Sequence, residues 1–402
     1  MQIVNSDKEK SITKLLVLII TVLSVKNVLF FNSAILSYQQ TINIVVIGII
    51  AVCYCHQIVF NRQINRVFLF LLLLMIAFVL CLEILIFPQN NPYIIDLLPR
   101  MIIYGILPFS LFMSLKSYEY LDDYLYIGGV IIVIAGSIVG VMQFLYQDVS
   151  GEYSMSYGTS LSYGTLCVLN RALYKRKLSS ILLSIIGILL IVVLGSRGPL
   201  LSVITIFVLY IVLKSDSIIK KIITIVITTF VCLIAMSHIM HIALAINTII
   251  ERWGFHSRTL LLIINGMYTD DSGRSIVYGN VIKLINEHPM IGIGIEGLKG
   301  NGYNGWSAHN LYLQLLLEFG YIVGIIAIVS LVILWLHGIF ACNNKSLKLC
   351  NVIMFSQFVP RTFFGAGLYE NPWFWLLLAG CICSFRTGVS YLYNEKQFRR
   401  SR

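Results

Sequence analysis

Charge is what this chain has least of. Only 12% of its 402 residues are Asp, Glu, Lys or Arg, against 58% hydrophobic, at a mean hydropathy of +0.86. That is too little polar surface to coat a soluble globule of this size, which excludes an ordinary cytosolic enzyme. No P-loop is present, so nucleotide hydrolysis is not the energy source. No Asp-x-Asp or His cluster presents a metal site, and neither Cys-x-Cys pair has zinc or redox spacing. The nine cysteines fall mostly inside apolar runs, and the long polar segment before residue 320 has none, which excludes a disulfide framework. The formal charge of +11 sits in short clusters between apolar runs rather than along one face, so nucleic acid is not the partner. No small-x-small cleavage site follows the first apolar run, which is read as a retained helix.

What is there is a succession of apolar windows long enough to span a bilayer. The pattern predicts an all-α, polytopic membrane protein forming one membrane domain over 1–402. Twelve spans are expected near 12–31, 41–60, 67–87, 99–115, 124–146, 157–174, 178–195, 197–213, 218–237, 320–340, 347–364 and 372–386. With the N-terminus inside, 20 of the 29 Lys and Arg fall on the inner side and 8 on the outer, the asymmetry expected of a protein with both termini cytoplasmic. The sixth span is unusually polar, with Ser160, Ser162, Thr165 and Asn170, so it lines a cavity or packs through small residues rather than facing lipid. Glu83, near the outer end of the third span, is either functional or interfacial.

Six of the eight outer cations are arginine. Topology needs only positive charge, whereas the planar guanidinium fork matches phosphate oxygens. Arg100 follows Pro99, Arg197 lies in Gly195-Ser196-Arg197-Gly198-Pro199, Arg274 follows Ser272-Gly273, and Arg361 follows Pro360. Each is read either as a phosphate ligand or as an interfacial arginine reaching headgroups or a carboxylate.

The longest segment between spans, 238–319, is predicted to be an outer loop with helical content, including 275–287. It holds two literal G-x-G-x-x-G matches, at Gly292, Gly294, Gly297 and at Gly300, Gly302, Gly305, but no βαβ context, so the run is read as flexible rather than nucleotide-binding. After it comes Trp306–Gly324, WSAHNLYLQLLLEFGYIVG, where His309 stands at the mouth of an apolar segment. Histidine takes a proton near neutral pH, its ordinary pKa being about 6.5. Asn310, Gln314 and Glu318 share a helical stripe, while His309 and Glu318 are expected on opposite faces. His288, before Pro289, reads as a loop residue. A base with outer arginines fits a reaction in which a hydroxyl attacks and a phosphate leaves. A lipid-linked glycan flippase is the alternative of another class, against which stand the lack of an internal repeat and the gathering of polar chemistry at the outer surface.

The runs Glu287–Gly294 (EHPMIGIG), Ser307–Gln314 (SAHNLYLQ) and Glu318–Gly324 (EFGYIVG), with Ser196-Arg197-Gly198 and Ser272-Gly273-Arg274 upstream, resemble the O-antigen ligase and polymerase (Wzy-type) family. The resemblance spans residues 157 to 340, in round numbers. It implies a GT-C-like membrane glycosyltransferase working without metal or other cofactor on the outer face of the bacterial inner membrane, and inverting configuration. The implied donor is an undecaprenyl-pyrophosphate-linked oligosaccharide, and the acceptor a sugar hydroxyl. It assigns catalysis to His309 and pyrophosphate binding to Arg197 and Arg274; position adds Arg361 and Arg100, with Asn310, Glu318 and His288 in support. The expected activity is O-antigen or capsular polysaccharide polymerisation, with transfer to lipid A core as the ligase alternative, in contact with membrane lipid and with a chain-length regulator as possible partner.

Overall fold

Every element in the computed structural model is helical among the described residues, which are 6–31, 35, 37–59, 66–146, 155–193, 197–214, 217, 219–220, 222–223, 226–227, 238–252, 258–266, 274–303, 307–363, 365 and 367–400. In order these helices are α1 (Ser6–Leu29), α2 (Gln39–Val59), α3 (Arg66–Ile86), α4 (Asn91–Met101), α5 (Leu107–Met113), α6 (Leu121–Tyr146), α7 (Met155–Lys175) and α8 (Leu178–Val193). They continue with α9 (Arg197–Lys214), α10 (Ile239–Arg252), α11 (Arg258–Ile264), α12 (Arg274–Glu287), α13 (Gly297–Gly300), α14 (Leu311–Leu336), α15 (Lys345–Phe358) and α16 (Pro372–Arg400).

Six of the described helical stretches are long and apolar enough to cross a membrane: Asp7–Leu29, Gln39–Gln57, Val67–Ile86, Pro88–Met113, Leu121–Met142 and Leu311–Ala341. Leu178–Val192 and Gly198–Lys214 are apolar but shorter. Of the remaining expected spans, 157–174 falls in α7, 347–364 in α15 with the 3₁₀ turn Val359–Phe363, and 372–386 in α16, while 218–237 lies largely outside the described residues. On α3, Val67, Phe70, Leu71, Leu74, Met75 and Phe78 are all exposed, a surface that only lipid or another apolar partner covers.

The chain divides into two compact units, both discontinuous in sequence: 1–16, 47–121 and 271–402, and 17–46 with 122–270. The expected loop 238–319 is therefore shared, α10 and α11 belonging to the second unit and α12 and α13 to the first.

In the second unit the polar α7 is almost wholly buried. Glycines make this possible: a Cβ on Gly129 would meet the Gly164 carbonyl oxygen at 2.8 Å, and one on Gly164 would meet Ile132 at 2.7 Å. The Tyr157 hydroxyl donates to the Gly136 carbonyl at 2.9 Å, while Ser162 and Thr165 donate to carbonyls of their own helix at 2.8 Å. Small residues and internal hydrogen bonds thus carry its polarity into the interior. Arg171 pairs with Asp122 at 3.5 Å and with Asp123, closing one end of the α6–α7 pair.

In the first unit α16 packs against α5, α14 and α15. Asn351 of α15 donates to the Gly338 carbonyl and to Ser384 of α16, both at 3.0 Å, which joins three segments through one buried amide. A separate apolar cluster of Val281, Leu284, Ile285, Ile293, Ala308 and Leu317 fastens α12 to the start of α14. Full burial of each such aliphatic side chain is worth about 1.5–3 kcal/mol.

Candidate active site

The site is built on a break in α14. Gly320 adopts φ 73° and ψ 178°, a conformation essentially confined to glycine, so the helix that begins at Leu311 stops and restarts there. A break of this kind leaves backbone groups without helical partners. They are satisfied by the segment Pro289–Ile295, which crosses the kink. Ile293 N–H donates to the Leu317 carbonyl at 2.9 Å, Gly294 N–H donates to the Glu318 carbonyl at 3.1 Å, and Tyr321 N–H donates to the Pro289 carbonyl at 2.8 Å.

The other edge of the segment is held as firmly. Ile295 N–H donates to the Glu83 carboxylate at 2.9 Å, and the Asn90 amide donates to the Ile293 carbonyl at 2.8 Å. Glu83 is thus a capping carboxylate, a role that neither of its sequence readings names. Gly292 and Gly294 both have φ +76°, and a Cβ on Gly292 would lie 2.5 Å from the Leu317 and Glu318 carbonyl oxygens. The glycine run read as flexible is, at these positions, a tightly bonded splint.

His309 sits immediately before the first half of α14. Asn310 is the N-cap, extended at φ −152° and ψ 119°, its side-chain oxygen accepting from Tyr312 N–H at 2.9 Å and Leu313 N–H at 3.1 Å. His309 itself is left-handed at φ 48°, an uncommon conformation for a residue with a Cβ. Its Nδ1 lies 3.2 Å from the Ser307 hydroxyl. The Tyr278 hydroxyl lies 3.4 Å from the His309 carbonyl oxygen and 3.2 Å from that of Phe363, donating to both in alternation. Tyr278 stands one helical turn beyond Arg274 on α12, so the two share a face. Burial pushes the His309 pKa below its ordinary value, and the nearby Arg274 guanidinium pushes in the same direction. The imidazole is therefore held neutral to a lower pH than free histidine.

Because Tyr278 fixes the backbone rather than the ring, it is a positioning residue. Tyr278→Phe is expected to lower kcat by about tenfold, in line with a small misplacement of a catalytic group. KM should stay near wild type, and steady-state turnover checks both; an unchanged kcat rejects the role.

Beside His309 is a cavity of about 120 Å³. Its polar lining includes Glu296, Lys299, Gln314, Glu318, Tyr369 and Glu370, and Leu97, Leu298 and Leu317 line its apolar part. Glu318 is only 5% exposed; Gln314 donates to one of its oxygens at 3.0 Å and the Tyr369 hydroxyl to the other at 2.5 Å. Burial and the Glu318 carboxylate hold the Tyr369 phenol well above its usual pKa, so it remains a donor. Glu318 and His309, expected on opposite faces, line the same cavity, though no bond joins them among the described contacts.

The other candidates are distributed as follows. Arg100 pairs with Asp96 at 2.6 Å and with Glu370 at 2.9 Å. Arg361 is buried on the 3₁₀ turn next to Thr362, whose hydroxyl lies 3.4 Å from that of Tyr312. His288 is exposed just past the end of α12. Arg197 opens α9 in the second unit, and its side chain lies outside the described residues. Of the predicted set, the first unit gathers His309, Arg274, Asn310 and Glu318. Sequence reading missed Tyr278, Tyr369, Ser307 and the Glu296–Lys299 pair, for which only their closeness in sequence to the motifs was a signal.

The described residues thus form an all-helical chain with apolar, membrane-length helices, in which a half-buried histidine lines a polar cavity. The comparisons are more specific. Residues 182–329 match the family model described as O-Antigen ligase (Wzy_C). The match includes Arg197, Arg274, His309 and Glu318. No curated protein and no solved structure matches the chain. The match takes in a little over a third of the chain, and the apolar helices of the described residues are long enough to cross a membrane.

Proposed function

We propose that the protein is an O-antigen or capsular polysaccharide polymerase. It transfers a glycan from undecaprenyl pyrophosphate to a sugar hydroxyl of an acceptor chain, with inversion and without a metal. The reading uses twelve spans with both termini cytoplasmic, which puts His309 on the outer face. The observation that carries it is His309 lining the cavity with Gln314 and Glu318, where burial and then Arg274 lower its pKa.

In the tautomer whose Nδ1–H faces the Ser307 hydroxyl 3.2 Å away, the free lone pair is on Nε2, and this nitrogen takes the acceptor proton. The acceptor oxygen forms a bond to the anomeric carbon as the bond from that carbon to the pyrophosphate oxygen breaks. Undecaprenyl pyrophosphate leaves with the electron pair, its charge balanced by Arg274. Displacement in one step from the opposite face inverts the carbon. The second reading, transfer to lipid A core, is favoured by the family description as O-Antigen ligase.

Purified protein given lipid-linked repeat units tests the choice. A ladder on the lipid carrier marks a polymerase, transfer only to added lipid A core marks a ligase, and neither product rejects both. In the same assay the acid limb of kcat/KM should have its midpoint below about 6.5, the ordinary histidine value. Arg274→Gln should move that midpoint upward, because it removes one cause of the lowered pKa.

A further inference from the structure

We propose that the cavity beside His309 is the acceptor site, that it takes the terminal sugar of the acceptor as a neutral, hydroxyl-rich ring, and that it rejects the anionic head of the donor. This rests on the glycosyltransferase reading above and adds which partner binds where.

The lining holds both acceptors and donors. Glu296, Glu318 and Glu370 offer carboxylate oxygens, while Lys299 and Gln314 offer N–H groups, the Tyr369 proton being already given to Glu318. A sugar hydroxyl is donor and acceptor at once, so neighbouring hydroxyls on a ring bind such pairs in turn. Leu97 and Leu317 give its C–H face an apolar wall. Pockets of this kind, mostly apolar with a few placed polar groups, are the usual form of a small-molecule site.

The cavity offers pyrophosphate no open cation. Three carboxylates and one ammonium line the cavity, and Arg274, Arg361 and Arg100 do not. Lys299 is held by Glu296 at 2.6 Å, so the cavity's own cation is already engaged. Arg100 meets Glu370 from outside the lining at 2.9 Å. A phosphate entering here would be desolvated with no free cation to balance its charge. A neutral hydroxyl group instead finds a lone pair still open on each Glu318 oxygen, since each accepts one hydrogen bond from Gln314 or Tyr369.

The cavity is also built before a ligand arrives. Glu318 is tied at both oxygens by Gln314 and Tyr369, and it lies two residues before the Gly320 break that the Pro289–Ile295 segment braces. His309 lines the cavity, while Arg274 acts on the same ring without lining it. The imidazole is therefore the boundary between a polyol site and an anion site, which is where a base for the acceptor hydroxyl has to stand.

The test uses the full-length protein in detergent and saturation-transfer NMR with three probes: a neutral methyl hexoside, the corresponding methyl uronide, and inorganic pyrophosphate observed by phosphorus line broadening. The neutral hexoside should receive saturation, the uronide little or none, and pyrophosphate should not displace the hexoside. Glu318→Gln and Gln314→Ala should each weaken hexoside binding by about fivefold, the loss of one hydrogen bond. Gln314 is only half-buried, so its variant reads the site if Glu318→Gln fails to fold. Uronide binding as well as the hexoside, pyrophosphate displacing the hexoside, or both variants binding like wild type would each overturn the assignment. Pyrophosphate binding that survives Arg274→Gln counts against the donor reading alone and leaves the sugar site standing.

Discussion

His309→Ala is expected to lower turnover by a factor of about 10² to 10⁴, the range usual for removing a general base. The loss should fall on kcat, with donor KM nearly unchanged, because in the proposed reading His309 acts on the acceptor hydroxyl and the substitution leaves Arg274 in place. Folding should survive. The ring is half-buried, the helix that follows is capped by Asn310 rather than by His309, and alanine tolerates φ 48° at a cost of about 1–3 kcal/mol, as any residue with a Cβ does. The structure also supplies a diagnostic. In wild type the acid limb reports a histidine whose pKa is lowered by burial and by Arg274; in the variant that limb should disappear, leaving a slow, pH-flat rate. His309→Ala with full polymerisation, or with the limb intact, assigns the proton to another group and removes the reading of this site as a base.

How far the sequence led to this site depends on the distance over which each inference ran. Local periodicity served well where the chain is helical: Asn310, Gln314 and Glu318 do form one stripe, joined by the cap and by the Gln314–Glu318 bond. It failed at His309, one residue outside the helix. With Asn310 extended and His309 left-handed, the chain turns before α14 starts, and helical-wheel arithmetic cannot be carried across that turn. That is why His309 and Glu318 share a cavity instead of facing apart. Glu83 and Asn90 were illegible for a different reason, since their partners Ile295 and Ile293 lie 212 and 203 residues away, and no sequence period spans such a gap. The glycines misled by composition: a run rich in glycine reads as flexible, yet Gly292 and Gly294 are there because backbone approaches backbone where a Cβ would not fit. Membrane character and helical class needed only composition and length, and both were plain from the start.

Gly320→Ala should be the most damaging of the small substitutions, costing about 3 to 5 kcal/mol from backbone strain together with two or three displaced hydrogen bonds. A Cβ at Gly320 would lie 2.5 Å from the Met290 carbonyl oxygen, and the atoms it meets are backbone, which cannot swing aside as a flexible side chain would. Two responses are open to the chain, and both harm the site. If residue 320 keeps φ 73°, the crossing segment must move away, freeing the Leu317 and Glu318 carbonyls and the Tyr321 N–H. If residue 320 becomes helical, α14 straightens, and the half-helix that carries His309, Gln314 and Glu318 changes direction relative to the half that spans the membrane. The expected result is a clear fall in the thermal midpoint in detergent and a loss of activity larger than that from Tyr278→Phe. Gly279→Ala is the control. That glycine lies inside α12 with nothing within 4 Å of its would-be Cβ, so alanine there should leave stability unchanged or raise it by up to about 1 kcal/mol through helix propensity. A Gly320→Ala protein as stable and active as the Gly279→Ala control would mean that the break in α14 is not what holds the histidine at the cavity.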